Sequence, residues 1–308
     1  MSFQDRLGRV ARSAASGGSP GAWRSIAIIV LFVIAIGGCN EKPPLERLSQ
    51  ARQVSAELLV QFTKAADASN KAVMADTDEA SVAFARDAEQ AKQAVQTSID
   101  TLSPVLESLD YSDESRLLQQ FVTRFAEYRE LDRRILDLAV ENTNLKAQRL
   151  SFGPGQEAAD SFRDSVEAVV PLDAAKDTWR VKALAAMAVA SVREVQVLQA
   201  PHIAEADDAA MARVEKRMAT SEAAARSALE ALAPLVNARS RPRFAAAVAA
   251  LDRFMSVNAQ ITALSRRNTN VRSLALSLNE KGKATGACED SLRALRGALA
   301  GRGFAGTR

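Results

Sequence analysis

The chain of 308 residues holds one histidine, two cysteines and only 5% aromatic residues, and each shortage removes a class of chemistry. With His202 and a single free thiol, neither a zinc site nor a Cys–His nucleophile pair can be assembled at ordinary ligand spacing. Two cysteines build no disulfide framework. Cys288 shares a helical stripe with Leu292 and Leu295 and reads as a small buried hydrophobe, a reactive thiol being the alternative. No glycine-rich phosphate loop and no G-x-S-x-G elbow occurs. Glycine and proline are thin between residues 45 and 300. No cofactor or metal is expected, and the chain reads as not an enzyme. Paired carboxylates abound, but on long Ala/Glu/Arg helices these are solvated faces.

Long hydrophobic runs are also missing. The longest, Ile26–Ile36, has 11 residues, against roughly 20 for a membrane-spanning helix. It follows a leader carrying Arg6, Arg9, Arg12 and Arg24 and meets Gly37-Gly38-Cys39. Ile36-Gly37-Gly38-Cys39 resembles the lipobox of bacterial lipoproteins. The resemblance implies a signal peptide over 1–38, acylation of Cys39 with diacylglycerol and palmitate, and a linker over 39–44. An uncleaved anchor is the competing reading. Asn40 after the cysteine favours the outer membrane over the inner one, with the chain facing the periplasm. The leader also accounts for the basic pI. Residues 1–38 hold four arginines and one acid, Asp5, which leaves 36 basic and 36 acidic side chains. Nucleic acid is therefore not an expected partner.

What remains is alanine-rich and helical in composition. Turn signals divide it into blocks: Leu45–Ala75, a second capped by Asp76-Thr77-Asp78 and ending near Leu109, a third over Glu114–Phe152 stopped by Gly153-Pro154-Gly155, and a fourth over Gln156–Val170 ended by Pro171. Pro171 with Asp173 predicts a break and a fresh helix start. In the third block Phe121, Phe125, Tyr128, Leu131, Ile135, Leu138, Asn142 and Leu145 recur at spacings of three and four, the seam of a helix bundle. Tyr128 is expected to bury its ring and hold its hydroxyl at the rim.

The same order then repeats. A shift of 126 carries Phe125 to Leu251, Tyr128 to Phe254, Ile135 to Ile261, Leu138 to Leu264 and Asn142-Thr143-Asn144 to Asn268-Thr269-Asn270. A shift of 130 carries Leu102-Ser103-Pro104 to Leu232-Ala233-Pro234 and Asp78 to Asp208, so four residues are missing between Pro234 and Phe244. We read an internal duplication: an all-α protein of long antiparallel helices in two tandem helical-bundle repeats, 45–172 and 173–300, with a flexible Gly-rich tail over 301–308.

The stretch Phe125–Ala139, with Asn142-Thr143-Asn144, Leu150, Gly153-Pro154-Gly155 and Phe162, resembles the four-helix-bundle sensor domain of methyl-accepting chemotaxis proteins. The resemblance implies an up-down bundle, a periplasmic setting and recognition of a ligand or partner between helices. No second membrane helix or signalling coiled coil follows residue 300, and no matching arginine motif stands in the first block.

Two features suggest contacts. Asn142 and Asn268 lie on their apolar seams, where a buried amide fixes register or lines a ligand pocket. Charge divides between the repeats: 14 basic and 22 acidic residues over 45–172, and 21 basic and 13 acidic over 173–308. Either two solvated surfaces have drifted apart, or the repeats attract each other or neighbouring copies. Arg239, Arg241, Arg243, Arg266, Arg267 and Arg272 form the densest positive group and could meet a carboxylate ligand, anionic lipid or repeat one. The function expected is that of an envelope lipoprotein docking a protein partner, or self-associating, through helical faces. The alternative is a small-molecule sensor module acting through a separate membrane protein.

Overall fold

The computed structural model describes residues 43–170 and 178–303. The leader, Cys39, the Pro171–Asp173 break and the end of the tail lie outside the described residues. Two compact units are distinguished, 1–46 and 47–308. In the first only 43–46 are described, including the opening turn of helix α1.

All regular structure among the described residues is helical, as the composition predicts. Helices α1 (Pro44–Met74), α2 (Asp78–Ser108) and α3 (Ser112–Glu141) are followed by α4 (Thr143–Leu150), a π-helical turn (Ser151–Gly155) and α5 (Gln156–Glu167). The second repeat gives α6 (Thr178–Ala204), α7 (Asp208–Leu232), a 3-10 turn (Ala233–Leu235), α8 (Arg241–Arg267), α9 (Thr269–Leu276), a second π-helical turn (Ser277–Lys281) and α10 (Gly282–Gly301). Thr77 caps α2, its Oγ1 accepting from the Ala80 N–H at 3.1 Å, and Asp207 caps α7 by accepting from Ala210 at 2.7 Å.

The expected stop at Gly153-Pro154-Gly155 is corrected. The chain stays helical there, in a π turn that accommodates the N–H missing from Pro154. The real break is at Asn142, in left-handed geometry with φ 50°. Asn268 repeats it at φ 54°, and asparagine is among the few residues that adopt this region readily. The second π turn lies 126 residues after the first and lacks the Gly-Pro-Gly, so the turn belongs to the fold rather than to that tripeptide. Gly155 serves close packing instead. An added Cβ would lie 3.0 Å from the Leu150 carbonyl oxygen and within 3.7 Å of Val257 and Ile261 on α8.

The two cores do not follow the repeat boundary. Leu58 and Phe62 of α1, Val95 and Leu102 of α2, and Phe121 and Phe125 of α3 pack with Cys288, Leu292, Leu295 and Leu299 of α10. In the other core Phe162 and Val166 of α5 pack with Val192 and Leu198 of α6, Leu229 of α7, and Leu251 and Phe254 of α8. Each four-helix bundle thus takes three helices from one repeat and its fourth from the other: a helix exchange within one chain.

The seam is buried at Phe121, Phe125, Tyr128 and Ile135, as expected. Leu131, Leu138 and Leu145 are only half-buried, and Leu136 and Ala139 are buried beside Ile135. Tyr128 needs a second correction: it is fully buried, its hydroxyl 3.5 Å from Asp132 Oδ1, and no rim is within its reach. Phe62 lies edge-on to Phe121, Phe125 and Tyr128, with centroids 5.1–6.1 Å apart.

Candidate functional site at the inter-repeat junction

Where the long helices break and cross over, the two Asn-Thr-Asn triplets meet. The Thr143 N–H donates to Thr269 Oγ1 at 3.1 Å, the Thr269 N–H donates to Thr143 Oγ1 at 3.1 Å, and the two hydroxyls are 3.2 Å apart. The Asn144 N–H donates to Asn270 Oδ1 at 3.1 Å and the Asn270 N–H to Asn144 Oδ1 at 3.2 Å. Asn144 Nδ2 donates to Asn268 Oδ1, and Asn270 Nδ2 to Asn142 Oδ1, both at 2.9 Å. Every bond has its reciprocal, which makes the junction a pseudo-two-fold knot. The left-handed residue at each helix end leaves the next N–H groups without helical acceptors, and the opposite triplet supplies them. Asn142 and Asn268 therefore tie one repeat to the other.

The two sides differ in one detail. Asn268 Nδ2 also donates to the Glu205 carbonyl at 2.9 Å, whereas Asn142 Nδ2 is buried without a partner. Asn144 Nδ2 reaches the Ile203 carbonyl at 2.7 Å. On that side a cleft of about 310 Å³ opens between α4 and the end of α6, walled by Leu145, Phe152, Ile203 and Val271, with Asn144, Asn270 and Gln148 at its polar edge. Phe152 stands at this cleft 69% exposed.

The arginine group is not one site. Arg239, Arg241 and Arg243 lie at one end of α8 and Arg266 and Arg267 at the other, about 40 Å away at 1.5 Å per residue. Arg266 donates to both oxygens of Glu215, at 2.7 and 2.8 Å, and holds that carboxyl below its usual range, with His202 assisting. Arg267 pairs with Glu141 at 2.8 Å. Arg272 is exposed at the start of α9, and Arg239 and Arg241 are exposed at the far end.

Four ion pairs join the repeats, and each sets a cation of repeat two against a carboxylate of repeat one: Arg193–Asp160 at 2.8 Å, Arg267–Glu141 at 2.8 Å, Lys281–Asp132 at 3.2 Å and Arg302–Glu114 at 2.7 Å. The sequence asymmetry is used inside the molecule.

Two buried polar clusters escaped the sequence reading. In the first bundle Asp132, with no exposure, receives Lys92 Nζ at 2.7 Å and the Ser69 hydroxyl at 2.5 Å, besides Lys281. Burial lowers the Lys281 pKa, partly offset by Asp132, and raises the Tyr128 pKa, with the Asp132 charge adding to it. In the second bundle His202 Nδ1 lies 2.9 Å from Ser265 Oγ and His202 Nε2 lies 2.8 Å from Glu215 Oε1. That geometry has the outline of a nucleophile–base–acid row. However, Ser265 and His202 have no exposure, and the Ser265 hydroxyl donates to the His202 carbonyl at 2.8 Å. The row is a sealed crosslink between α6, α7 and α8. The one usable sequence signal at the junction was the unchanged Asn-Thr-Asn in an otherwise diverged duplication. His202, Ser265 and Glu215 are spread over 63 residues and carry no such mark.

The chain matches no protein-family model, no curated protein and no solved structure.

Proposed function

We propose that this protein is a non-enzymatic lipoprotein of the bacterial envelope, anchored through Cys39 in the outer membrane, that docks a protein partner on its helical faces. The observation that carries the reading is the junction. Its reciprocal hydrogen bonds consume the polar groups the sequence offered for ligand binding and join two bundles into one scaffold. The buried polar rows are likewise spent on holding helices together. The cleft beside Phe152 favours a second reading, the small-molecule sensor module suggested by the resemblance to chemoreceptor domains, because its volume is at the lower end of the ligand-site range.

A thermal-shift screen of the protein against amino acids, organic acids and peptides separates the two. Docking predicts an unchanged melting temperature across the screen. A dose-dependent rise, removed by a bulky side chain at Ala200 in the cleft wall, would replace docking with the sensor reading. Lipidation has its own test: Cys39→Ser is expected to leave the precursor unlipidated and uncleaved, and normal maturation of that variant would remove the anchor.

A further inference from the structure

We propose that the end of the second bundle remote from the junction is a contact site for an anionic, phosphate-bearing bilayer surface, with Trp179 at headgroup depth and Arg180, Lys182, Arg239 and Arg241 around it. Three segments meet there: the start of α6, the turn between α7 and α8, and the end of α5. Their apolar sides already close one core, in which Val169, Val181 and Leu232 are buried and Val170, Val236 and Phe244 pack against them. Trp179 is left outside that core, 72% exposed. Arg180, Lys182, Arg239, Arg241 and Arg243 are exposed beside it. Arg243 ties the segments together by donating to the Ala168 carbonyl at 3.0 Å. The carboxylates at this end are Glu167 and Glu230, both exposed, and Asp164, which Arg163 holds at 2.8 Å. The α8 N-terminus adds its positive end to the cations.

The duplication supplies a control. The matching positions of the first bundle hold Ser49 for Trp179, Gln50 for Arg180, Asp113 for Arg239 and Ser115 for Arg241. Arg52, which matches Lys182, is consumed by the carbonyls of Leu299, Ala300 and Arg302. The exposed tryptophan with free cations is thus peculiar to repeat two and no by-product of the fold. An aromatic ring with an apolar body and one N–H donor suits the interface between headgroups and acyl chains, and nearby cations suit phosphate. A soluble acidic partner would use the cations and leave the ring in water. The inference is independent of the partner docked elsewhere on the helices.

The chain has two tryptophans, Trp23 and Trp179, so the full-length protein carrying Trp23→Phe reports on Trp179 alone. Reconstituted by its own anchor into phosphatidylcholine vesicles, with or without phosphatidylglycerol, it is held on both alike, and only the contact at the bundle end differs. We expect Trp179 emission to shift to the blue, and brominated lipid to quench it, only on the anionic vesicles. Raising salt from 0.1 to 1 M should reverse both. R180E/R239E/R241E, three exposed positions, should abolish the shift without changing the circular dichroism. Equal Trp179 emission on both vesicle types, or a shift the triple variant retains, overturns the proposal. So does a soluble polyglutamate that reproduces the shift where anionic vesicles do not.

Discussion

The first bundle carries a buried ionic layer where the second carries a neutral one. Asp132, Lys92, Lys281, Ser69 and Tyr128 of the former correspond to Asn258, Glu222, Gly155, Gln199 and Phe254 of the latter. In the second bundle Gln199 Nε2 donates to Asn258 Oδ1 at 2.9 Å, and Ser151 Oγ donates to Gln199 Oε1 at 2.7 Å. Where the carboxylate is absent the two buried ammonium groups are absent too. The layer has changed as a set, because a buried charge whose partner is removed costs far more than the pair together. One backbone plan therefore tolerates either solution, provided that every member agrees.

The largest expected effect tests that coordination. Asp132→Ala leaves two buried lysines facing each other and should cost about 3–5 kcal/mol in denaturant unfolding. Asn258→Ala removes a neutral acceptor and should cost about 1–3 kcal/mol. Equal losses would mean that Asp132 is solvated in solution, and the contrast between layers would collapse.

The next effect sharpens the comparison at the junction. Asn268 makes two side-chain hydrogen bonds and Asn142 one, with Nδ2 unsatisfied. Asn268→Ala should therefore destabilise more than Asn142→Ala, by about 1 kcal/mol. The reverse ranking would show that Asn142 Nδ2 has found a partner in solution.

A smaller signature is pH dependence. The Lys281 pKa is lowered by burial, so just below the ordinary lysine value of 10.5 the unfolded chain holds a proton there that the folded chain has begun to release. Stability from this group accordingly rises as pH climbs toward 10.5. The denaturation midpoint of the native chain, measured against that of Lys281→Met, should gain ground between neutral pH and 10; a constant difference would contradict the burial of the ammonium. The smallest effect is expected at the surface: Arg267→Ala breaks an exposed pair with Glu141 and should cost about 0–1 kcal/mol. A loss approaching that of Asp132→Ala would transfer the weight of the inter-repeat contact from the cores to the rim.

Helix positions were legible because their causes are local. Thr77 and Asp207 cap, Asp110 and the two asparagines turn, and apolar spacing chooses the buried face. The helix exchange was illegible for a physical reason. Phe162 and Leu292 answer to each other across the duplication, so either helix would present nearly the same apolar face to either bundle. Residue pattern fixes which face is covered and leaves open whose helix covers it. The Asn-Thr-Asn triplet was visible as a conserved feature between repeats, and its first asparagine was singled out. That Thr143 and Asn144 matter equally follows only from the crossing of two chain segments 126 residues apart. Arg239 and Arg266 read as one group because sequence proximity conceals the length of the helix between them.

The exchanged helices also impose an order in time. Leu292, Leu295 and Leu299 close a core whose other members begin at Leu48, so nearly the whole polypeptide emerges before the first bundle has its last wall. Until then the rings of Phe62, Phe121 and Phe125 face an unfilled groove, and a chain cut short after α9 keeps that groove permanently. The second bundle has no such delay: α5, its borrowed wall, is already made when α6 begins. Although repeat one is synthesised first, it is the bundle built mainly from repeat two that can close on its own schedule, while the earlier helices wait for the end of the message.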